Sequence, residues 1–234
     1  MNPTRRVTDA PTRVFHALLA LGFGLAWLTG DADDWRALHV ALGYGIAGLL
    51  TAWLLYQFFG PRPARWAMLL RRVSGGPAWL REALQAGASP RPGFWRQGQN
   101  LLLAALPLTL LLGLPLLLLS GLFTYQEWFG LEEAMEEVHE FFANSLGLIA
   151  LAHPALLLLS SWLRGQNLLR PMGSGKLPGA GPDLVRSDRR AVAALLALGL
   201  VAGTGWVWTQ ERGAVAAVEH GHRGERGHHD DDDD

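Results

Sequence analysis

The chain of 234 residues contains no cysteine. It therefore cannot form disulfides, attach haem through thioether bonds, ligate haem by a thiolate or hold an iron–sulfur cluster through cysteine. Charged residues are also scarce, at 18% of the sequence against 50% hydrophobic residues. Soluble domains carry about 25% charged residues, so this composition indicates a protein of the membrane.

Five apolar stretches approach or exceed the length of about 20 helical residues that crosses a bilayer core. The first is the shortest and follows three arginines, so a cleaved signal peptide is the alternative reading of it. It lacks a small-x-small cleavage pattern and carries a histidine, and we interpret it as a retained helix. The five predicted spans cover residues 14–30, 37–60, 100–125, 138–163 and 190–209.

The order of these stretches predicts an all-α integral membrane protein, a four-helix transmembrane bundle with a fifth transmembrane helix. The bundle covers residues 1–176, and a linker with the fifth helix covers 177–210. Residues 211–234 are polar and rich in His and Asp, which predicts a disordered tail. Two short amphipathic helices are expected at 64–72 and 78–84, in the connection between the second and third spans.

Charge is distributed unevenly among the connections. Of 20 Lys and Arg residues, 16 lie in 1–13, 61–99 and 164–190, and these segments hold only four acidic residues. By the positive-inside rule the basic segments are cytoplasmic. We therefore expect a multi-pass protein of the bacterial inner membrane, with a cytoplasmic N-terminus and a periplasmic C-terminal tail. The other connections are acidic, with Asp31, Asp33, Asp34, Glu127, Glu132, Glu133, Glu136 and Glu137.

Four histidines lie within the apolar stretches, where ionisable residues are costly and usually functional. Alternating helix directions put His16 and His153 toward the cytoplasmic side, and His39 and His139 toward the outside. His139 and His153 are about 21 Å apart along one helix and share a face of it. The pattern predicts two bis-histidine sites, His16/His153 and His39/His139, that ligate the irons of two stacked haems. Filled axial positions suit electron transfer.

Other residues near these levels have two readings each. Arg13 and Arg36 are candidate partners of haem propionates, and snorkelling interfacial charges explain them equally well. The tail histidines and aspartates suggest metal binding or docking of a periplasmic partner, and a solvated tail is the simpler reading. Five glycines fit a flat porphyrin or close helix packing: Gly22, Gly24, Gly43, Gly45 and Gly147.

Three motifs resemble the prokaryotic cytochrome b561 family, which includes the cytochrome b subunits of membrane-bound nickel–iron hydrogenases. Residues 9–16, DAPTRVFH, resemble the family's opening motif D-x-P-T-R-x-F-H. Residues 38–44, LHVALGY, resemble its second-helix motif, and Val138-His139 after a glutamate-rich loop resembles its L-H-E motif. The resemblance covers about residues 7–176. It implies two haem b groups that pass electrons between the membrane quinone pool and a redox partner.

The resemblance leaves several functional alternatives open. Besides quinone and membrane lipid, the partner is a c-type cytochrome or a hydrogenase or dehydrogenase subunit, and nucleic acid is not expected. Whether the chain is itself a quinone oxidoreductase or a subunit of a complex, and whether it forms a homo-oligomer, stays open. The fifth span departs from the family pattern. Two other classes are a metal-binding or transport protein that uses the histidines and the tail, and a structural anchor whose histidines hold no cofactor.

Overall fold

The computed structural model describes residues 3–61, 66–85 and 92–227. Helices dominate this part of the chain, and short 3-10 turns precede the second and fourth spans. The α-helices are α1 (Ala10–Thr29), α2 (Arg36–Phe59), α3 (Trp66–Val73), α4 (Gly76–Gln85), α5 (Phe94–Tyr125), α6 (Glu132–Arg164), α7 (Arg170–Ser174) and α8 (Arg190–Gly227).

Five helices are long and apolar enough to cross a membrane, which confirms the predicted class. They are α1, α2, α5, α6 and the part of α8 from Arg190 to Gly213. The third and fourth spans begin about six residues earlier than predicted, because the charged and amide side chains in 94–99 and 132–137 lower the hydropathy of these first residues. The two amphipathic helices expected between the second and third spans are present as α3 and α4.

The start of α1 is fixed by its first polar residues. Asp9 is the N-cap, and its carboxylate accepts hydrogen bonds from the backbone N–H of Thr12 at 3.3 Å and from the Thr12 hydroxyl at 2.5 Å. Pro11 follows within the first turn, where a missing N–H costs nothing. This cap places His16 in the second turn of the helix.

The spans pack as two groups. Helices α5 and α6 form a closely packed antiparallel pair, and α8 packs along both α1 and α2. An apolar core joins the two groups, and the four membrane histidines lie on α1, α2 and α6 around it. Its buried members are Ile46, Leu50, Leu114, Leu117 and Leu146.

Polar contacts fasten α8 to the other helices at both of its membrane ends. At one end the Tyr56 hydroxyl donates to the carboxylate of Asp9, which is fully buried. Arg189 donates to the same hydroxyl at 2.9 Å and its guanidinium lies 5.7 Å from the centre of the Tyr56 ring. At the other end the Tyr125 hydroxyl donates to Glu211 at 2.7 Å. The fifth span is therefore an integral part of the bundle.

Two features of the fold were not expected from the sequence. Strands β1 (Thr4–Arg6) and β2 (Lys176–Pro178) form a small antiparallel sheet, which joins the N-terminus to the segment predicted as a linker. In addition, α8 continues to Gly227, so the first part of the tail is helical where disorder was expected. Residues 228–234, which include His228 and His229, lie outside the described residues.

Candidate functional site

The four membrane histidines form two facing pairs. The ring centres of His16 and His153 are 6.5 Å apart, and those of His39 and His139 are 6.0 Å apart. Helix α6 contributes one histidine to each pair, while α1 and α2 contribute the others. The structure thus brings together the same partners that helix direction and depth predict.

The spacing within each pair fits one metal ion between two imidazoles. A metal–imidazole bond is about 2 Å long and the ring centre lies about 1 Å beyond the nitrogen, so two opposed imidazoles have centres about 6 Å apart. The observed 6.0 and 6.5 Å match this value. Each pair offers two ligands, as bis-histidine haem does, whereas protein zinc sites use three or four. The residues therefore fit haem.

The His39/His139 pair is oriented by backbone carbonyls. The Nδ1 atom of His39 lies 2.9 Å from the carbonyl oxygen of Ala26, and Nδ1 of His139 lies 2.9 Å from that of Leu117. A carbonyl oxygen only accepts, so each Nδ1 carries the hydrogen and donates it. Each Nε2 then has its lone pair free for a metal, and the carbonyl fixes the ring in place.

Gly121 makes room for the His139 ring against α5. A Cβ atom at Gly121 would lie 2.7 Å from Cε1 of His139 and 2.8 Å from its Nδ1, which is closer than real contacts allow. The neighbouring Ser120 hydroxyl is 3.4 Å from the same Nδ1. Gly121 and the Leu117 carbonyl were missed at the sequence level. A glycine opposite a histidine on the next helix is a sequence pattern that could have predicted this contact. A backbone carbonyl is common to all residue types, so the sequence gives no sign of it.

The His16/His153 pair lacks comparable bracing. The His16 side chain is exposed, and the buried Nδ1 of His153 makes no hydrogen bond with the described part of the chain. Pro154 follows His153 inside α6 and lacks an N–H, so the carbonyl of Ala150 loses its usual helical donor. The two histidine pairs therefore have different surroundings, although each fits the same group.

The Arg13 side chain is engaged by the protein itself rather than standing free for a haem propionate. Its Nη2 contacts Asp188 at 3.2 Å, its Nη1 donates to the Gly173 carbonyl at 3.1 Å, and its Nε donates to the Asp9 carbonyl at 3.4 Å. A hydrogen bond from Arg190, together with the charges of Arg13 and Arg190, lowers the pKa of Asp188 below its ordinary value. All three guanidinium nitrogens of Arg13 are thus in use: one contacts the segment before α8, one contacts α7, and one contacts the start of α1 itself.

The structure places Arg36 near one end of α2, and it gives two of the predicted glycines a role in helix packing. Arg36 is exposed at the start of α2, one turn before His39, in a position compatible with the predicted role. At Gly45 a Cβ would overlap the Thr204 hydroxyl, and at Gly147 it would lie 3.1 Å from the Trp27 ring, so both serve close helix packing.

A cavity of about 410 Å³ between α2 and α8 is lined by none of the four histidines.

An all-helical membrane bundle whose histidines face each other in haem-sized pairs has the features of a membrane cytochrome b. The family model for prokaryotic cytochrome b561 matches residues 7–175, and the chain belongs to that family. This confirms the resemblance drawn from the sequence motifs. No curated protein matches the chain, and no solved structure matches it. As a family member, the protein is a multi-pass membrane cytochrome that transfers electrons across the membrane through haem b.

Proposed function

We propose that the protein carries electrons through two haem b groups, one held by His16 and His153 and the other by His39 and His139. The observation that supports this most directly is the spacing of the two pairs, 6.5 and 6.0 Å between ring centres. Haem supplies a reversible one-electron iron couple. The four imidazoles would hold the two haems, two to each iron, and such ligation would leave no open coordination site for oxygen chemistry.

The two pairs are separated along the membrane normal. His139 and His153 are 14 residues apart on α6, or about 21 Å of helix. A hydrocarbon core is about 30 Å thick, so the pairs span most of it. By the positive-inside rule, the basic segments favour the cytoplasmic side for the His16/His153 pair, here called the inner pair. The His39/His139 pair is then the outer pair, facing the periplasm of a bacterial inner membrane.

We infer that one haem exchanges electrons with the quinone pool and the other with a protein partner. The partner proposed for the outer side is cationic, such as a c-type cytochrome with a basic face. The first turns of α6 support this, because they present exposed carboxylates around His139, and such a surface attracts a cation at low salt. The exposed acidic residues are Glu132, Glu133, Glu136, Glu137 and Glu140. A hydrogenase or dehydrogenase subunit is the other partner class that the family suggests.

The first experiment measures haem in the purified full chain. A pyridine haemochrome assay and a dithionite-reduced minus oxidised spectrum are expected to give two b haems per chain. The His16→Ala and His39→Ala variants are each expected to retain one, and His222→Ala in the tail serves as the control that retains both. A redox titration of His39→Ala then identifies the midpoint of the inner haem. A colourless wild-type protein from haem-replete cells would refute the proposal.

A further inference from the structure

Three buried polar atoms on α6 make no hydrogen bond with any described residue: His153 Nδ1, Ser160 Oγ and Arg164 Nε. Ser160 is seven residues after His153, and Arg164 is four residues after Ser160. At about 100° per residue these steps return to the same face of the helix within about 40°. The three side chains therefore form one row, which we call the α6 polar row, from the inner histidine toward the end of the span.

Ser160 is the strongest sign that a partner belongs there. In membrane helices a hydroxyl usually donates to the carbonyl three or four residues earlier. Thr51 does so with Ala47 at 2.9 Å, and Ser161 does so with Leu157 at 2.6 Å. Ser160 does not, although its side chain is 0% exposed. Because a buried polar group without a partner is costly, this indicates an acceptor that the described residues do not provide.

The positive charge of Arg164 indicates that this acceptor is an anion. Its Nη2 donates to the side-chain oxygen of Gln99 on α5 at 3.0 Å, while its Nε is buried and unused among the described residues. Gln99 is neutral, so this bond orients the guanidinium without balancing its charge. Long side chains on a helix lean toward the N-terminus, which directs Arg164 back toward Ser160 and the inner pair. Two donors, one of them cationic, suit an anionic oxygen.

We propose that the α6 polar row binds a propionate carboxylate of the inner haem, with Ser160 and Arg164 as donors and Gln99 as a positioning residue. This rests on the proposed function, because it needs a haem between His16 and His153. Ser160 lies about 10 Å along the helix from His153, on the side away from the outer pair. A lipid phosphate offers the same chemistry, but full burial of Ser160 on the face of a haem ligand favours the haem acid.

The test is a redox titration of the holoprotein with both haems bound. Arg164→Gln removes a cation beside a carboxylate, which favours the oxidised haem, so the inner midpoint is expected to fall. A tenfold change in the oxidised-to-reduced ratio corresponds to about 59 mV for one electron, and we expect a fall of about this size. Ser160→Ala is expected to give a smaller fall, and Arg164→Lys to restore most of the wild-type midpoint. The resonance Raman bands of the propionates are expected to shift in Arg164→Gln and Ser160→Ala.

Two controls make the result specific. The outer midpoint in the same molecules is expected to stay unchanged, and Arg170→Gln removes an exposed arginine just after α6 without moving either midpoint. If the wild type holds the inner haem, and Arg164→Gln and Ser160→Ala both leave its midpoint and propionate bands unchanged, this inference is overturned. The proposed function would still stand. Loss of a co-purified anionic phospholipid in Arg164→Gln, with the midpoint unmoved, would overturn it in favour of a lipid site. Absence of any inner haem in the wild type would instead refute the proposed function.

Discussion

Replacement of Gly121 by alanine tests the outer site through a single methyl group. The new Cβ would meet His139 Cε1 at 2.7 Å and Nδ1 at 2.8 Å, so the ring must move off α5. Overpacking of this kind costs about 1–3 kcal/mol, and loss of the bond to the Leu117 carbonyl adds about 1 kcal/mol. At 1.4 kcal/mol for each factor of ten, we expect the outer haem to bind about 30- to 700-fold more weakly.

The assay is haem occupancy after purification and dilution in detergent, followed by haemochrome and redox titration. Gly121→Ala is expected to lose the outer haem first and to retain the inner haem with its midpoint unchanged. The matched control is Gly199→Ala in α8, where a Cβ would meet nothing within 4 Å. This control is expected to hold both haems. Equal occupancy in the two variants would show that the position of the His139 ring against α5 is not needed for ligation.

Three further predictions concern the contacts around α8. Asp9→Ala removes the cap of α1 and the buried acceptor of Tyr56, so we expect it to lower the free energy of unfolding by about 2–4 kcal/mol, measured as a lower Tm in detergent. The pKa of Asp188 is lowered in the folded protein. Its stabilising effect is therefore fully present above the pKa of an unfolded Asp, about 3.9, and is lost as the pH falls through the folded-state pKa. Asp188→Asn is expected to show a smaller loss of Tm on acidification than the wild type. Tyr125→Phe removes the hydrogen bond to Glu211 and is expected to cost about 1 kcal/mol, with Glu211→Gln, which keeps an acceptor, costing less; equal Tm values for Tyr125→Phe and the wild type would contradict a role for this contact.

The class of the protein and its candidate haem-ligating histidines can be predicted from the sequence, because each depends on a sequence pattern that has one physical explanation. Long apolar stretches define the spans, and the direction of each span converts the positions of His16, His39, His139 and His153 into depth. Facing pairs then follow without knowledge of side-chain contacts. The family motifs lie within the same helices, which is why the resemblance and the depth argument agree.

The features that the sequence does not reveal depend on contacts between distant residues. Arg13 is adjacent in sequence to the inner site, but its charge is taken by Asp188, which is 175 residues away. Strands β1 and β2 pair over a similar separation and have no turn between them to mark a hairpin. The acceptor that holds His139 is the backbone carbonyl of residue 117, and because every residue type has a backbone carbonyl, the identity of Leu117 gives no signal. Gly121 has a function only because a particular ring faces it.

The fastening of α8 at both ends has a consequence for assembly in the membrane. The family match ends at residue 175, so α8 is an addition to the part of the chain that the family shares. It covers the outward faces of α1 and α2, and because it belongs to the same chain its effective concentration at that face is high. A transmembrane anchor of another protein would have to displace this tethered competitor. Among the described helices, the lipid-facing sides of α5 and α6 carry no such tethered helix, so a transmembrane anchor of another protein would meet less competition there.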